Sequence, residues 1–414
     1  MQYGLIGEKL GHSFSKEIHE RLKSYPYELV ELSPREIEAF FAEKNFSAIN
    51  VTIPYKTAVI PDLSHIDGQA QAIGAVNTVL NRGGELWGYN TDFYGFCALV
   101  EHAKIKLKDK KIAILGTGGT SKTATAVSKH FGAKEILTVS RTKGEGVITY
   151  TELAERHNNV EVIINTTPVG MYPNADACPV DLSAFSGLEG VIDAIYNPLR
   201  TQLIIEAQKR GISAEGGLYM LVAQAVRASE LFLDCAYGPD TAEHIYRAIL
   251  KKTDNIVLSG MPGAGKSTVG KLLAKELNRE FFDLDEEIVR ASGRSIPEIF
   301  ATEGESVFRT LETRVLREGL TNKKNIVLAT GGGAILRNEN VDLLHRNGRI
   351  YFIDRPLEAL LPTEDRPLAS SVKAIKKRYE ERYDRYCRTA DCRIDGDGTP
   401  KEVAERIGKE FFGL

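Results

Sequence analysis

Along the chain, short apolar runs alternate with stretches of helical period. In residues 1–93 the runs Tyr3–Ile6, Tyr27–Val30 and Ala48–Val51 read as strands. Helical patterns fall between them at about Phe14–Leu22 and Pro34–Phe41, which predicts an α/β layer. A helix from about Thr91 and a strand Lys111–Leu115 follow. After a glycine cluster come a helix to about Phe131 and a strand Glu135–Val139. Glu161–Ile164 and Val191–Ala194 read as further buried strands, giving the β-α-β rhythm of a nucleotide-binding sheet. Two helices, Leu218–Leu233 and Pro239–Leu250, come next. The first is long and apolar and suits packing back across either preceding block. Polar Lys251–Asp254 reads as a linker, short at about 3.3 Å per extended residue. A third block opens with the strand Asn255–Ser259 and closes with a helix at Pro400–Phe411. The expected division is 1–93 (completed by helices from about 217–250), 94–216, a linker at 251–254, and 255–414.

Length agrees with several domains, since 414 residues exceed a single hydrophobic core. Charge removes one class of partner. With 53 basic against 56 acidic residues the chain has no electrostatic footprint for nucleic acid. Anionic ligands must then be met by local groups. The cysteines, Cys97, Cys178, Cys235, Cys387 and Cys392, lack metal-site spacing and read as ordinary thiols in a reducing compartment. No signal-peptide pattern or membrane-spanning run is visible, so a cytoplasmic protein is expected. Nothing in the sequence fixes an oligomeric state.

The third block carries the most specific motif. Gly260-Met-Pro-Gly263-Ala264-Gly265-Lys266-Ser267-Thr268 matches G-x-x-x-x-G-K-[ST] between a strand and a helix. Its glycines let backbone amides face phosphates, Lys266 suits the β/γ-phosphates and Ser267 suits Mg²⁺. ATP and Mg²⁺ are therefore expected. Asp283 and Asp285 close the next strand candidate, Phe281–Leu284; one could hold the Mg²⁺ shell and the other face an acceptor hydroxyl. Alternatively Asp285 caps the following helix. Arg309 and Glu312 share a helix face and can pair. Gly331-Gly332-Gly333 admits close backbone approach. Glu364-Asp-Arg366-Pro-Leu reads as a lid, and Arg382 lies on a very charged helix.

This set resembles shikimate kinase over nearly all of 255–414. It rests on the P-loop, Phe282-Asp-Leu-Asp285, Ser295-Ile-Pro-Glu-Ile-Phe300, Gly304-Glu-Ser-Val-Phe-Arg309, the triple glycine and Arg366-Pro-Leu. The resemblance implies transfer of the ATP γ-phosphate to the 3-hydroxyl of shikimate. Asp285 would orient or deprotonate that hydroxyl, and Arg309 and Arg382 would clamp the carboxylate beside Gly331, Gly332 and Gly333. Arg366 and Lys266 would stabilise the transferring group, and Asp283 would support Mg²⁺ through water. The chain departs from the family in lacking an arginine in Leu360–Asp365, and in having Asp384 and Arg388 after the carboxylate-binding arginine.

In the second block, Gly116-Thr-Gly118-Gly119-Thr120 follows a strand and opens a helix, a variant of the dinucleotide fingerprint. The next strand ends in Ser140-Arg141-Thr142-Lys143. With no acid for a ribose 2′-hydroxyl and two cations for a 2′-phosphate, this argues NADP(H) over NAD. In the first block, Ser13 and Ser15 can both bond a carboxylate. Asn50-Val-Thr52-Ile-Pro-Tyr-Lys56, Gly74-Ala-Val-Asn77-Thr78 and Gly88-Tyr-Asn90-Thr91-Asp92 suggest a small hydroxylated substrate. Lys56 and Asp92 are acid/base candidates, although Asp92 could instead cap the helix from Phe93.

These segments resemble shikimate dehydrogenase over about 1–250. The resemblance implies NADPH-dependent, reversible reduction of 3-dehydroshikimate to shikimate. Ser13 and Ser15 would bind the carboxylate, while Thr52, Lys56, Asn77, Asp92 and Gln224 would bind ring hydroxyls. Lys56 would be the favoured proton donor. Tyr196 would touch the substrate side, and Asn165-Thr166-Thr-Pro-Val-Gly-Met171 and Met220 the nicotinamide side. Thr201-Gln202 and Tyr219 stand where the family often has Thr-Pro and a glycine. A quinate/shikimate dehydrogenase fused to a small-molecule kinase is the neighbouring alternative. The two likenesses converge on one compound, the product of the first reaction and the substrate of the second.

Overall fold

The computed structural model describes residues 1–11, 13–23, 25–360 and 372–413. They form two compact units, Met1–Ile249 and Leu250–Leu414. The first unit holds two six-stranded sheets and the second a five-stranded sheet.

In the first sheet Tyr3–Gly7 is flanked in parallel by Glu28–Glu31 and Ala48–Val51. An antiparallel hairpin, Thr78–Arg82 and Glu85–Tyr89, extends it from Ala48–Val51. The sequence pattern did not predict this hairpin. Its turn uses Gly83 and Gly84 at φ +63° and +92°, the left-handed region where glycine is unstrained. The hairpin delivers Asn77 and the segment Asn90–Asp92 to the same sheet end as Asn50.

The second sheet is parallel throughout its named pairings. It is centred on Lys111–Leu115, between Val162–Asn165 and Glu135–Ser140. Three adjacent strands are buried at every position but Lys111, as a sheet covered on both faces requires. The helix Gly119–His130 follows the central strand directly. The helix Leu218–Leu233 packs on Thr91–Ala103 and also on Ser15–Leu22. A Cβ at Gly95 would lie 2.6 Å from the Met220 carbonyl oxygen and 2.8 Å from Gln224 Cβ, so glycine is what allows this approach.

The third sheet is all parallel, in the order Glu280–Asp283, Ile326–Ala329, Asn255–Ser259, Gly348–Asp354, Cys392–Asp395. Its longest strand, Gly348–Asp354, was not anticipated. Arg349 interrupts the apolar run near its start, and Asp254 pairs with that arginine at 2.9 Å. The phosphate-loop strand Asn255–Ser259 is central, so the loop leaves from the middle of the sheet edge.

The expected linker is corrected by the structure. Lys251–Thr253 belong to the helix Thr241–Thr253, and only Asp254 separates it from the next strand. Arg279 donates to the carbonyls of Asp254 and Lys251, meeting backbone acceptors that a helix end leaves open. Among the described residues no helix is long and apolar enough to cross a membrane.

Candidate functional sites

In the first unit the key pair is Lys56 and Asp92. The lysine Nζ donates to Asp92 Oδ2 at 2.6 Å, with the two side chains 17% and 9% exposed. Asp92 does not cap its helix. Asn90 does, its side chain accepting from the Phe93 N–H, so the carboxylate is left for Lys56. A Cβ built on Gly119 would lie 4.0 Å from Lys56 Cδ, which sets the lysine beside the glycine loop.

Around this pair the hydrogen-bonding side chains form one network. The Asn77 amide donates to Thr91 Oγ1 at 3.0 Å, and the Thr91 N–H returns to Asn77 Oδ1 at 2.7 Å. Thr91 also meets Gln224 Oε1 at 3.4 Å. Behind them, Asn50 donates to Thr78 and to the Asn77 carbonyl, and accepts from Tyr27 at 2.7 Å. Thr91, Asn50 and Tyr27 were not singled out as site residues. The first two lie inside the quoted motifs, whereas nothing marked Tyr27. Ser13 and Ser15 are joined by a 3.0 Å hydroxyl contact at the start of the helix Ser15–Leu22. The Tyr196 ring lies 6.0 Å from that of Phe14, between them. Thr52 Cγ2 lies 2.6 Å from where a Gly7 Cβ would sit, so it packs on the first strand. His12 lies outside the described residues.

The glycine loop fits a pyrophosphate. Gly116 sits at φ +112°, and a Cβ there would meet Thr166 Oγ1 at 2.8 Å. Gly118 has open space where a Cβ would be, and it starts the helix with no side-chain cap. First-turn amides, including that of Thr120, are therefore available to an anion. Thr166 Oγ1 donates to the Leu115 carbonyl and fixes the adjoining loop. After the strand Glu135–Ser140, Lys143 is held by Glu152 at 2.6 Å, whereas Arg141 makes no ion pair among the described residues. Arg141, with Ser140 and Thr142, is thus the cation left for a 2′-phosphate.

Asp193 was missed. It is fully buried and accepts from Asn165 at 3.0 Å, from the Ile195 N–H at 3.0 Å and from Thr201 at 2.7 Å. It ties the loop after Asn165 to the segment bearing Tyr196 and to the helix that Thr201 caps. Burial pushes its carboxyl up to about 6 against those donors. Met220 is buried. Tyr219, the unusual neighbour, stacks on His102 at 4.0 Å and edges onto Tyr246 at 5.2 Å.

In the second unit Gly260, Gly263 and Gly265 all have positive φ, at +151°, +82° and +87°. Such a loop turns its amides inward, a fit for phosphate. Ala264 is buried beneath it, and Thr268 is exposed on the helix that follows. Buried Lys266 donates to the carbonyls of Gly260 at 2.9 Å and Met261 at 3.0 Å, folded along the loop. The Ser267 hydroxyl donates to Asp283 at 2.5 Å. A hydroxyl and a carboxylate are hard oxygen donors, the set that suits a largely hydrated Mg²⁺.

At the two aspartates the structure shortens the expected strand and removes the alternative that Asp285 caps the helix. The strand ends at Asp283, and it is Asp283, accepting from the Asp285 N–H at 3.0 Å, that caps the next helix. Asp285 lies in the first turn, with its Oδ1 2.6 Å from where a Gly331 Cβ would be. Arg309 is forked onto buried Glu312 at 3.0 and 3.1 Å and also reaches Glu305 at 3.0 Å. Burial raises the Glu312 carboxyl to about 7 even beside Arg309. Arg382 donates to the Gly332 carbonyl at 3.2 Å. Arg366 and the rest of the expected lid lie outside the described residues.

Comparison with known proteins follows the same division. Residues 5–79 match the shikimate dehydrogenase substrate binding domain family, and residues 262–411 match the shikimate kinase family. A shikimate dehydrogenase (NADP(+)) of Clostridium perfringens is 36% identical over 266 residues, covering 60% of this chain and 97% of that protein. The crystal structure of shikimate dehydrogenase 1 from Peptoclostridium difficile aligns at TM-score 0.56 and 35% identity, covering 60% of this chain and 98% of that one. Shikimate 5-dehydrogenase from Thermus thermophilus, solved with NADP(H) and shikimate, aligns at TM-score 0.54 and 27% identity, covering 60% and 99%.

Proposed function

Because this chain belongs to the shikimate dehydrogenase family and continues into a C-terminal shikimate kinase domain, we propose that it makes shikimate and then phosphorylates it. The first unit reduces 3-dehydroshikimate with NADPH; the second transfers the γ-phosphate of ATP to the shikimate 3-hydroxyl with Mg²⁺. The single observation that carries the first reaction is the Lys56–Asp92 pair beside the glycine loop.

NADPH, held by Gly116, Gly118, Gly119, Thr120 and Arg141, supplies the hydride. Lys56 gives its proton to the forming alkoxide, and Asp92 keeps the ammonium aimed at that oxygen. Ser13 and Ser15 hold the substrate carboxylate by neutral hydrogen bonds. Thr52, Asn77 and Gln224 hold the ring hydroxyls. Met220, Thr166 and Tyr196 close the site around them. The arginine at the 2′-phosphate position favours this reading over an NAD-dependent quinate dehydrogenase.

In the second unit Gly263, Ala264, Gly265, Lys266 and Thr268 would hold the nucleotide phosphates, the Ser267 hydroxyl would serve Mg²⁺, and Asp283 would support that ion through water. Asp285 orients the acceptor hydroxyl and takes its proton. Arg309, Arg382 and Gly331–Gly333 hold the acceptor, and Lys266 and Arg366 offset charge on the transferring group.

The test supplies 3-dehydroshikimate, NADPH and Mg-ATP and looks for shikimate 3-phosphate. Lys56→Ala should lower reduction at least about hundredfold and spare phosphorylation. Asp285→Ala should do the reverse. Loss of both activities from either change in a folded protein would sink the two-site reading.

A further inference from the structure

The strip Gly331–Gly333 passes where side chains cannot. A Cβ on Gly332 would come within 2.9 Å of the Pro262 ring, and one on Gly333 within 2.2 Å of the Arg309 guanidinium. With Asp285 as close to Gly331, the loop meets its neighbours with backbone alone.

Its orientation is held from another side. The Gly332 carbonyl accepts from the Tyr386 hydroxyl and from Arg382 Nη1. Tyr386 is fully buried on the helix Val372–Thr389, and its ring stacks on Phe352 at 5.1 Å and 11°. A trans peptide sends its N–H opposite to its C=O. Two donors fixed on the Gly332 carbonyl therefore also set the direction of the Gly333 N–H. Among the described residues neither the Gly332 nor the Gly333 N–H has a protein acceptor. A guanidinium carries five N–H donors, so one spent on Gly332 leaves Arg382 able to bind an acceptor carboxylate.

We propose that Tyr386 is a positioning residue of the kinase reaction: by holding the Gly332 carbonyl, its hydroxyl aims the Gly333 N–H at an oxygen of the acceptor. This rests on the C-terminal domain phosphorylating shikimate. Tyr386 acts through the glycine peptide and not on the reacting atoms. Its loss is therefore felt in acceptor binding.

The experiment uses the full chain, varying shikimate at saturating Mg-ATP. Tyr386→Phe keeps the ring stack and removes the hydroxyl. The KM for shikimate should rise about five- to tenfold, the worth of one neutral hydrogen bond, while kcat, the KM for ATP and the dehydrogenase rate hold. Phe352→Leu keeps the hydroxyl and loosens the stack. It should lower Tm at least as much and leave the KM for shikimate alone. An unchanged KM in Tyr386→Phe overturns the proposal. So does an equal rise in Phe352→Leu, which would make Tyr386 a packing residue only. A wild-type chain that does not phosphorylate shikimate instead removes the kinase reading on which the proposal stands.

Discussion

At both sites the acid expected to act could have been spent on capping a helix, and at both an earlier neighbour takes that task. Asn90 accepts the Phe93 N–H and leaves Asp92 to Lys56; Asp283 accepts the Asp285 N–H and leaves Asp285 beside Gly331. The candidates were legible because a lysine, two aspartates and glycines at fixed spacing have few other uses together. The residues that hold them were not. Asp193 and Tyr386 act through an amide and a carbonyl remote in sequence, and nothing in their type marks them; Asn50 stood inside a quoted motif, but its bonds to Asn77 and Thr78 did not show there. Asp193 yields a pH prediction. Burial raises its carboxyl from 3.8 to about 6, so the folded state binds the proton more tightly. That contribution to stability is fully present below pH 3.8 and is lost as pH rises through about 6. Between pH 4 and 7, wild type should lose up to about 3 kcal/mol more than Asp193→Asn in the denaturant unfolding of the first unit. Parallel pH curves for the two proteins would remove Asp193 from this account.

Among the elements, the long buried strands and helices were readable from their periods. The hairpin Thr78–Tyr89 and the strand Gly348–Asp354 were not, since a glycine pair and an interior arginine broke the pattern. The helix Leu218–Leu233 could be read as apolar and placed with residues 1–93, but its packing on Thr91–Ala103 could not be assigned. Its partner is decided at Gly95, where one missing side chain lets Thr91–Ala103 approach. Gly95→Ala puts a methyl against the Met220 carbonyl and Gln224. It should destabilise the first unit by roughly 1–3 kcal/mol through overpacking. On the proposed reading Gln224 serves the substrate and Met220 the nicotinamide, so dehydrogenase kcat/KM should fall as well, while phosphorylation is kept. Calorimetry and the two assays check this together; an unchanged reductase in a destabilised protein would separate packing from catalysis.

For the whole molecule, length forecast several domains, and each unit does own its sheets and cores. The junction was the misread part, because Lys251–Asp254 has the polarity of a linker and the hydrogen bonds of a helix end. This bears on where the gene can be cut. A piece beginning at Asn255 discards Asp254, the partner of Arg349, and both carbonyls that receive Arg279. Arg279 is already lowered to about 10 by burial, with Asp254 opposing the shift, so it would be stranded there. A piece beginning at Pro239 keeps the whole helix. Residues 239–414 should therefore express as a soluble, active kinase with a higher Tm than residues 255–414. Equal behaviour of the two pieces would show that the kinase does not need the helix that introduces it.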